Sequence, residues 1–291
     1  MSKNLNYQFG KDLSSIGFMQ GRLSPLVNGK IQAFPWDNWK EEIAIGPKYG
    51  FVRLEWVLDQ ENLYKNPIMT QKGRKEIKCL LKKNNISVNS LTGDCFMQQP
   101  FFKAEKKHRS GLLKDLKNII ESCSLIGIRF IVFPLVDEGS IENDFQERIL
   151  KDVLNSLVLM LKEANIVICF ESDFVPERLL NFINQFEPNC FGINYDVGNS
   201  ASLGYLPREE ITLYGHRIMN VHVKDRLLHG TTVPLREGNA DIPAVLESLM
   251  RSGYKGNYVL QTARAVDNNH VSVLIKYRDL LVEMLDSVGI N

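Results

Sequence analysis

The chain alternates between short apolar runs and longer stretches in which apolar residues recur with helical period. Eight of the short runs are rich in β-branched and aromatic residues, and they end near Met19, Trp56, Leu91, Phe133, Glu171, Asp196, His222 and Gln261. Runs that are apolar throughout are typical of parallel strands buried on both faces of a sheet. The pattern therefore predicts an α/β fold in which strand and helix alternate eight times.

The stretches between the strands differ in how clearly they show the helical period. Apolar residues at i, i+3, i+4 and i+7 are clearest over 105–126 and 142–164. Shorter or weaker helices are predicted over 37–49, 70–83, 176–186, 208–215, 240–252 and 270–287. Gly50 and Gly253 follow two of these stretches, where glycine commonly ends a helix.

Eight parallel strands close a (β/α)8 TIM barrel, and 291 residues suit one such domain. A doubly wound open sheet is the rival fold. It is weakened because no strand is followed by a GxGxxG turn and polar residues end strands across the whole chain. We predict a single TIM-barrel domain over 1–291, with its core at about 14–287. The segment 20–36 is too long for a simple turn, and we expect it to be an active-site loop.

Composition limits the partners and the cellular location. A net charge of +1 argues against nucleic acid or an anionic membrane as the main partner. The five cysteines are widely spaced and form no CxxC pair, which indicates reduced thiols in a cytosolic protein. The polar N-terminus MSKNLNYQFGKD contains no secretory signal, and no apolar run approaches membrane-spanning length. We expect a soluble, cytoplasmic protein.

Four strand ends carry side chains that suit a metal ion or a sugar. Glu171 follows IVICF, Asp196 follows FGINY, His222 lies in NVHVKD and Gln261 follows YVL. The carboxyl ends of the strands of a TIM barrel meet at one mouth, where catalytic groups lie. Carboxylate, imidazole and amide groups are ligands of divalent cations. An acid at a strand end can instead cap a helix, so each single position has this alternative role. Four such polar residues on consecutive strands nevertheless favour one metal-centred site.

These segments resemble those of the xylose-isomerase-like TIM barrels, which include sugar phosphate isomerases and epimerases and also the abasic-site endonucleases of the same barrel type. The resemblance rests on IGFMQGRLSP (16–25), LEW (54–56), FESD (170–173), YDVGN (195–199), VHVKDR (221–226) and YVLQTAR (258–264). It covers about residues 14 to 265, essentially the whole predicted barrel. Members of the family isomerise, epimerise, dehydrate or hydrolyse different compounds, so the resemblance does not specify the substrate.

The resemblance implies that Glu171, Asp196 and His222 are ligands of Mg, Mn, Co or Zn. Gln261 stands where the family usually has a glutamate as fourth ligand and second base. A glutamine can offer a carbonyl oxygen to a cation, but it cannot accept a proton. Two-base epimerisation loses most from this change, whereas isomerisation through an enediolate needs only one carboxylate, for which Glu171 is suited.

We therefore predict a metal-dependent sugar or sugar phosphate isomerase. The alternatives are an epimerase or dehydratase, with Glu55 or Asp225 as a replacement acid, and a barrel that binds a sugar without catalysis. The endonuclease alternative is disfavoured, because the third and fourth strands end without histidine and the net charge is close to zero. A small-molecule sugar is the expected partner, and a homo-oligomer is left open.

Further candidates complete the predicted site. Lys224 joins Glu171 and Gln261 in the catalytic set, because a lysine can neutralise a phosphate or a developing oxyanion. Asp225 is expected to orient His222. The other predicted substrate-binding residues are Arg22, Trp36, Glu55, Asp94, Asn199 and Arg236. Exposed ion pairs, helix caps, turns and core packing are the alternative roles of these residues.

Overall fold

The computed structural model describes residues 15–289, and its eight main strands form a closed barrel in the order β1-β10-β7-β6-β5-β4-β3-β2. All eight pairings are parallel. The barrel strands are β1 (Ile16–Met19), β2 (Arg53–Val57), β3 (Ser87–Thr92), β4 (Phe130–Leu135), β5 (Val167–Ser172), β6 (Phe191–Asp196), β7 (Ile218–Val223) and β10 (Asn257–Leu260). The prediction of an eight-stranded parallel TIM barrel is confirmed.

The helices surround the barrel. They are α1 (Trp39–Ile45), α2 (Gln71–Asn84), α3 (Asp94–Gln98), α4 (Lys106–Ile126), α5 (Asp144–Ser156), α6 (Val158–Ala164), α7 (Pro176–Ile183), α8 (Val197–Leu203), α9 (Pro207–Tyr214), α10 (Ile242–Arg251) and α11 (His270–Ser287). The stretch 142–164 was predicted as one helix, but the structure divides it into α5 and α6. Leu157 divides them at φ −94° and ψ 0°, and its amide bonds to Leu154 O, three residues back.

Two short helices and a hairpin were not predicted from the sequence. Helix α8 begins directly after β6, and α3 begins one residue after the end of β3. Five to seven residues make fewer than two full turns, too few to display a helical period. The antiparallel strands β8 (Asp225–Arg226) and β9 (Thr232–Val233) follow β7. These additions place extra polar residues around the carboxyl ends of the strands.

Alternation along each strand separates the apolar layer from the polar interior. Phe170 points away from the barrel axis and packs against Phe182 of α7, with ring centroids 5.1 Å apart. Its neighbour Glu171 points the other way, because successive side chains of a strand alternate between faces. The core therefore lies between strands and helices, while the interior near the mouth is lined by buried polar groups.

The loop 20–36 after β1 is braced by a buried carboxylate. Glu42 of α1 accepts hydrogen bonds from the backbone N–H groups of Gly21 and Leu23, at 2.7 and 2.9 Å, and from Ser24 Oγ at 3.0 Å. Arg22 Nη1 donates to Ile31 O at 3.1 Å, which ties the two ends of the loop together. These hydrogen bonds stabilise the loop beside the mouth.

Some sequence predictions fall outside the described part of the chain. Residues 1–14, which include the polar segment used to predict the absence of a secretory signal, and residues 290–291 are not among the described residues. The assignment of 1–291 to a single domain therefore stays a prediction. Between residues 15 and 289 no helix has the length and apolar character needed to cross a membrane.

Candidate active site

Three neighbouring strands bring Glu171, Asp196 and His222 together at the mouth of the barrel. One ligand atom from each lies within 4.8 Å of the others, and all three side chains are buried. His222 Nδ1 lies 3.2 Å from Glu171 Oε2 and 3.8 Å from Asp196 Oδ2. The predicted trio is thus preformed as a group able to hold a metal ion.

A buried carboxylate beneath the trio orients His222. Nε2 of His222 lies 2.7 Å from Glu55 Oε1, so the hydrogen on Nε2 points to Glu55 and Nδ1 faces Glu171 and Asp196. Burial alone would raise the pKa of Glu55, but His222 and hydrogen bonds from Ser90 and Thr92 lower it overall. Glu55 therefore supports the histidine and does not line the cavity.

The environment of His222 favours a positive charge. Burial lowers the pKa of His222, but Glu55, followed by Asp196 and Glu171, raises it well above its usual value. A proton or a cation at Nδ1 satisfies the same carboxylates. Metal binding would displace that proton, so the two compete for one position.

Two amide groups hold the carboxylate of Glu171. Asn194 Nδ2 donates to Glu171 Oε2 and Asn199 Nδ2 to Oε1, both at 2.8 Å. Arg226 Nη1 donates to the side-chain oxygen Oδ1 of Asn199 at 2.8 Å, which fixes the Asn199 amide with its amino group toward Glu171. The predicted candidate Asn199 thus lies at the cavity and also positions the proposed base.

Lys224 and Asp196 form an ion pair beside the trio. Lys224 Nζ lies 2.8 Å from Asp196 Oδ2, while Asp196 Oδ1 caps α8 by accepting from the backbone N–H of Asn199 at 2.8 Å. Asp196 therefore caps α8 with one oxygen, while its other oxygen faces Lys224 and His222. Burial raises the pKa of Asp196, but Lys224 and His222 outweigh burial and lower it to about 2.

Gly198 leaves room for this ion pair. A Cβ atom at position 198 would lie 2.4 Å from the Cγ atom of Lys224. Lys224 therefore crosses the first turn of α8 where only a glycine permits it.

Gln261 enters the mouth at the end of β10, the strand that pairs with β7. Its Nε2 donates to Gln32 Oε1 at 2.9 Å, and Gln32 Nε2 in turn lies 3.0 and 2.7 Å from the two oxygens of Asp94. The buried Oε1 of Gln261 has no hydrogen-bond partner among the described residues. Burial, opposed by Gln32 and assisted by Asp59 and Glu171, raises the pKa of Asp94 to about 7.

A cavity of about 330 Å³ is lined by both Glu171 and Gln261. The predicted site residues that line it are Asp94, Glu171, Asn199, Lys224 and Gln261. Gln32 and Arg226, which were not predicted as site residues, line it as well. Its size suits a small polar molecule. A larger cavity of about 460 Å³ lies between α9 and α10, but none of the predicted site residues lines it.

Besides Glu55, four predicted substrate-binding residues lie away from this cavity. Asp225 accepts backbone N–H groups of Arg236, Gly238 and Ala240 at 2.9, 3.0 and 3.0 Å, so it shapes the following loop and does not reach His222 as an acceptor. Arg236 takes part through that backbone amide. Trp36 packs edge-on against Phe34.

Arg22 is the fourth. Its guanidinium donates to Thr262 O and Ile31 O, both at 3.1 Å, and to Gln32 Oε1 at 3.4 Å. Burial, with Arg264 adding, lowers the pKa of Arg22 to about 9. The arginine stabilises the loop 20–36 from within.

Sequence reasoning missed Gln32, Asn194 and Asn220. Asn220 Nδ2 donates to Glu55 Oε2 at 3.0 Å and to Asn194 Oδ1 at 2.9 Å, so the two asparagines join the support of His222 to that of Glu171. Both interrupt otherwise apolar strands, FGINYD and IMNVH, which is a readable signal. Gln32 lies in an irregular loop, where no periodicity marks it.

The sequence is similar to those of known proteins along most of its length. The sequence profile of the xylose isomerase-like TIM barrels matches residues 45–273. The L-ribulose-5-phosphate 3-epimerase UlaE of Salmonella typhi is 22% identical over 260 residues, which cover 86% of this chain and 91% of the relative.

Two solved structures share the fold. A D-tagatose 3-epimerase-like protein superposes with a TM-score of 0.73 at 19% identity, covering 94% of this chain and 98% of the other. The IOLI protein, solved with a zinc atom, gives 0.69 at 16% identity over 94% and 97% of the two chains.

Proposed function

The chain belongs to the family of xylose isomerase-like TIM barrels, and we propose that it is a divalent-metal-dependent isomerase of a sugar or sugar phosphate. The resemblance found in the sequence is confirmed, as is the prediction of an enzyme of the sugar phosphate isomerase and epimerase type. The observation that carries the proposal is the position of Glu171. It is the one carboxylate that belongs to the candidate metal trio and also lines the cavity.

The residues present fit a divalent cation. Glu171, Asp196 and His222 would hold it, with Gln261 Oε1 as the fourth donor. The unpartnered Oε1 supports this fit, because a buried carbonyl oxygen without a donor costs on the order of 1–3 kcal/mol. When bound, the ion supplies polarisation of the substrate carbonyl and stabilises negative charge on its oxygen. Whether the ion is Mg, Mn, Co or Zn stays a prediction.

Glu171 is the proposed base. It would remove the proton from the carbon next to the carbonyl and return it to the neighbouring carbon on the same face, so that an aldose and a ketose interconvert. One further proton moves between the two substrate oxygens. The donors Asn194 and Asn199 keep the carboxylate oriented, and the ammonium of Lys224 lies at the cavity, where it favours a developing oxyanion.

An epimerase is the second candidate, and Asp94 is the observation that favours it. Glu55 and Asp225, the replacement acids considered from the sequence, are engaged by His222 and by backbone amides respectively. Asp94 lines the same cavity as Glu171, and its pKa of about 7 suits proton transfer near neutral pH. Two-base inversion would then use Glu171 and Asp94, with Gln261 in no proton-transfer role.

Isotope exchange separates the two reactions. The protein, loaded with Mn²⁺, is incubated in D₂O with aldoses, ketoses and their phosphates, and the products are read by NMR. We expect aldose–ketose interconversion with deuterium entering at one carbon. Inversion of a carbon without interconversion, and its loss in Asp94→Asn, would establish the epimerase instead.

Metal analysis tests the shared premise. Purified protein soaked in Mg, Mn, Co or Zn and then desalted should retain one ion per chain, and Asp196→Asn should retain none. Absence of metal and of turnover in the unmodified protein would refute the enzyme proposal. Activity that arises only in Gln261→Glu would support the sugar-binding barrel.

The remaining sequence predictions concern surroundings of the enzyme. A small-molecule sugar as partner follows from the proposed reaction. A cytoplasmic location, the absence of nucleic-acid and membrane partners, and the oligomeric state stay predictions.

A further inference from the structure

We infer that Gln32, on the loop after β1, is a positioning residue that fixes which end of the Gln261 amide is left free in the cavity. The inference rests on the proposed function in so far as that free end is a metal ligand. It concerns the side chain by which this chain departs from the usual glutamate of its family.

The polarity of the contact is set at Asp94. Gln32 Nε2 lies 2.7 and 3.0 Å from the two oxygens of Asp94, and a carboxyl group keeps an acceptor oxygen in either protonation state, so the amino end of the Gln32 amide faces Asp94. The carbonyl end of Gln32 then points to Gln261, where it accepts from Nε2 at 2.9 Å. Arg22 donates to the same oxygen at 3.4 Å and reinforces this orientation.

Gln261 is thereby left with one free end, its carbonyl oxygen. That atom is buried and has no hydrogen-bond partner among the described residues, while the amino end donates one hydrogen bond to Gln32. A rotated amide would present two N–H donors to a cation and would leave the carbonyl oxygen of Gln32 facing another oxygen. The observed orientation is the one that a cation requires, because only the carbonyl oxygen of an amide can act as its ligand.

A glutamate at the same position would not need such support. Its two oxygens are equivalent, so either orientation presents an acceptor. A glutamine has one oxygen and one amino group, and an orienting partner decides between them. The positioning role of Gln32 should therefore depend on the residue at position 261, whereas a general contribution to loop stability should not.

Isothermal titration with Mn²⁺ tests this dependence. The proteins are the unmodified chain, Gln32→Leu, Gln261→Glu and the double variant, with Gln71→Leu on the exposed start of α2 as matched control. We expect Gln32→Leu to weaken Mn²⁺ binding about tenfold, the size typical of residues that orient a ligand. In the Gln261→Glu background the same substitution should leave the affinity almost unchanged, because both oxygens of the glutamate are acceptors. Equal weakening in both backgrounds, or none in the first, overturns the inference.

A second measurement does not depend on metal. The side-chain amide signals of Gln261, identified by their loss in Gln261→Glu, should be two separated NMR resonances that exchange slowly with solvent. In Gln32→Leu they should shift toward the positions of an exposed glutamine amide and exchange faster with solvent, and in Gln71→Leu they should not. Unchanged signals in Gln32→Leu overturn the positioning role. Shifted, faster-exchanging signals in a protein that binds no Mn²⁺ uphold that role and refute the metal proposal alone.

Discussion

The two sides of the cavity are built in different ways. On the acidic side (Glu171, Asp196 and His222) the supporting groups Glu55, Asn194 and Asn220 all lie on barrel strands and are almost completely buried. On the amide side (Gln261, Gln32 and Asp94) the side chain at the end of the last strand is held by Gln32 of a loop, and Gln32 in turn contacts Asp94 of the short helix α3. The charges that would attract a cation are thus fixed by the barrel, whereas the polarity of the final donor is fixed by a loop.

Removing the charge of Glu171 should have the largest effect and should leave the fold intact. We expect Glu171→Gln to lower turnover roughly 10²–10⁴-fold, the usual contribution of a general base. The melting temperature should change little, because a glutamine can keep one of the two amide contacts. Glu163→Gln, an exposed substitution on α6, is the control for turnover. A variant that retains more than about a tenth of the activity would remove Glu171 from the role of base.

The amide side should show itself in the pH dependence of stability. The folded-state pKa of Asp94, about 7, lies above its ordinary value of 3.8, so the native state retains a proton that the unfolded chain releases. As pH rises from 4 to 8, the unmodified protein should lose up to about 4 kcal/mol of unfolding free energy relative to Asp94→Asn.

Urea unfolding at several pH values between 4 and 8 measures this difference. Asp152→Asn, on the exposed face of α5, should run parallel to the unmodified protein. Parallel curves for Asp94→Asn as well would show that Asp94 is not held protonated by burial.

Loss of the Glu55 carboxylate, which supports His222, should have the smallest effect of the three substitutions. We expect Glu55→Gln to weaken Mn²⁺ binding about 10–100-fold, because His222 loses the carboxylate that fixes Nε2–H and strengthens Nδ1 as a ligand. Titration calorimetry with Glu163→Gln as control gives the ratio. An unchanged affinity would mean that barrel packing alone orients the imidazole.

The sequence was sufficient for the barrel and for the acidic side. Strand ends are visible as apolar runs that stop at a polar residue, and parallel strands bring those ends together. Glu171, Asp196 and His222 therefore meet where they were predicted to meet. Asp196 also shows why a helix cap and a functional carboxylate cannot be distinguished by type alone, since one oxygen caps α8 and the other faces the trio.

The amide side could not be predicted in the same way. Loop conformation has no period, so nothing in 20–36 distinguishes Gln32 from its neighbours. Arg22 and Asp225 were expected at the substrate because both are charged residues near strand ends. In the structure they form hydrogen bonds with loop backbone, whose polar groups must be satisfied once they are buried.

The hydrogen bond between Gln32 and Gln261 also has a consequence for folding order. It joins residues 229 apart in sequence and lies at the seam where the first barrel strand meets the last. Closing a loop of such length costs conformational entropy that a contact between neighbouring strands does not. The acidic trio needs only three consecutive strands to associate, whereas the orientation of the Gln261 amide needs the ring to close. We therefore expect the Gln261 amide to be a reporter of ring closure in this barrel.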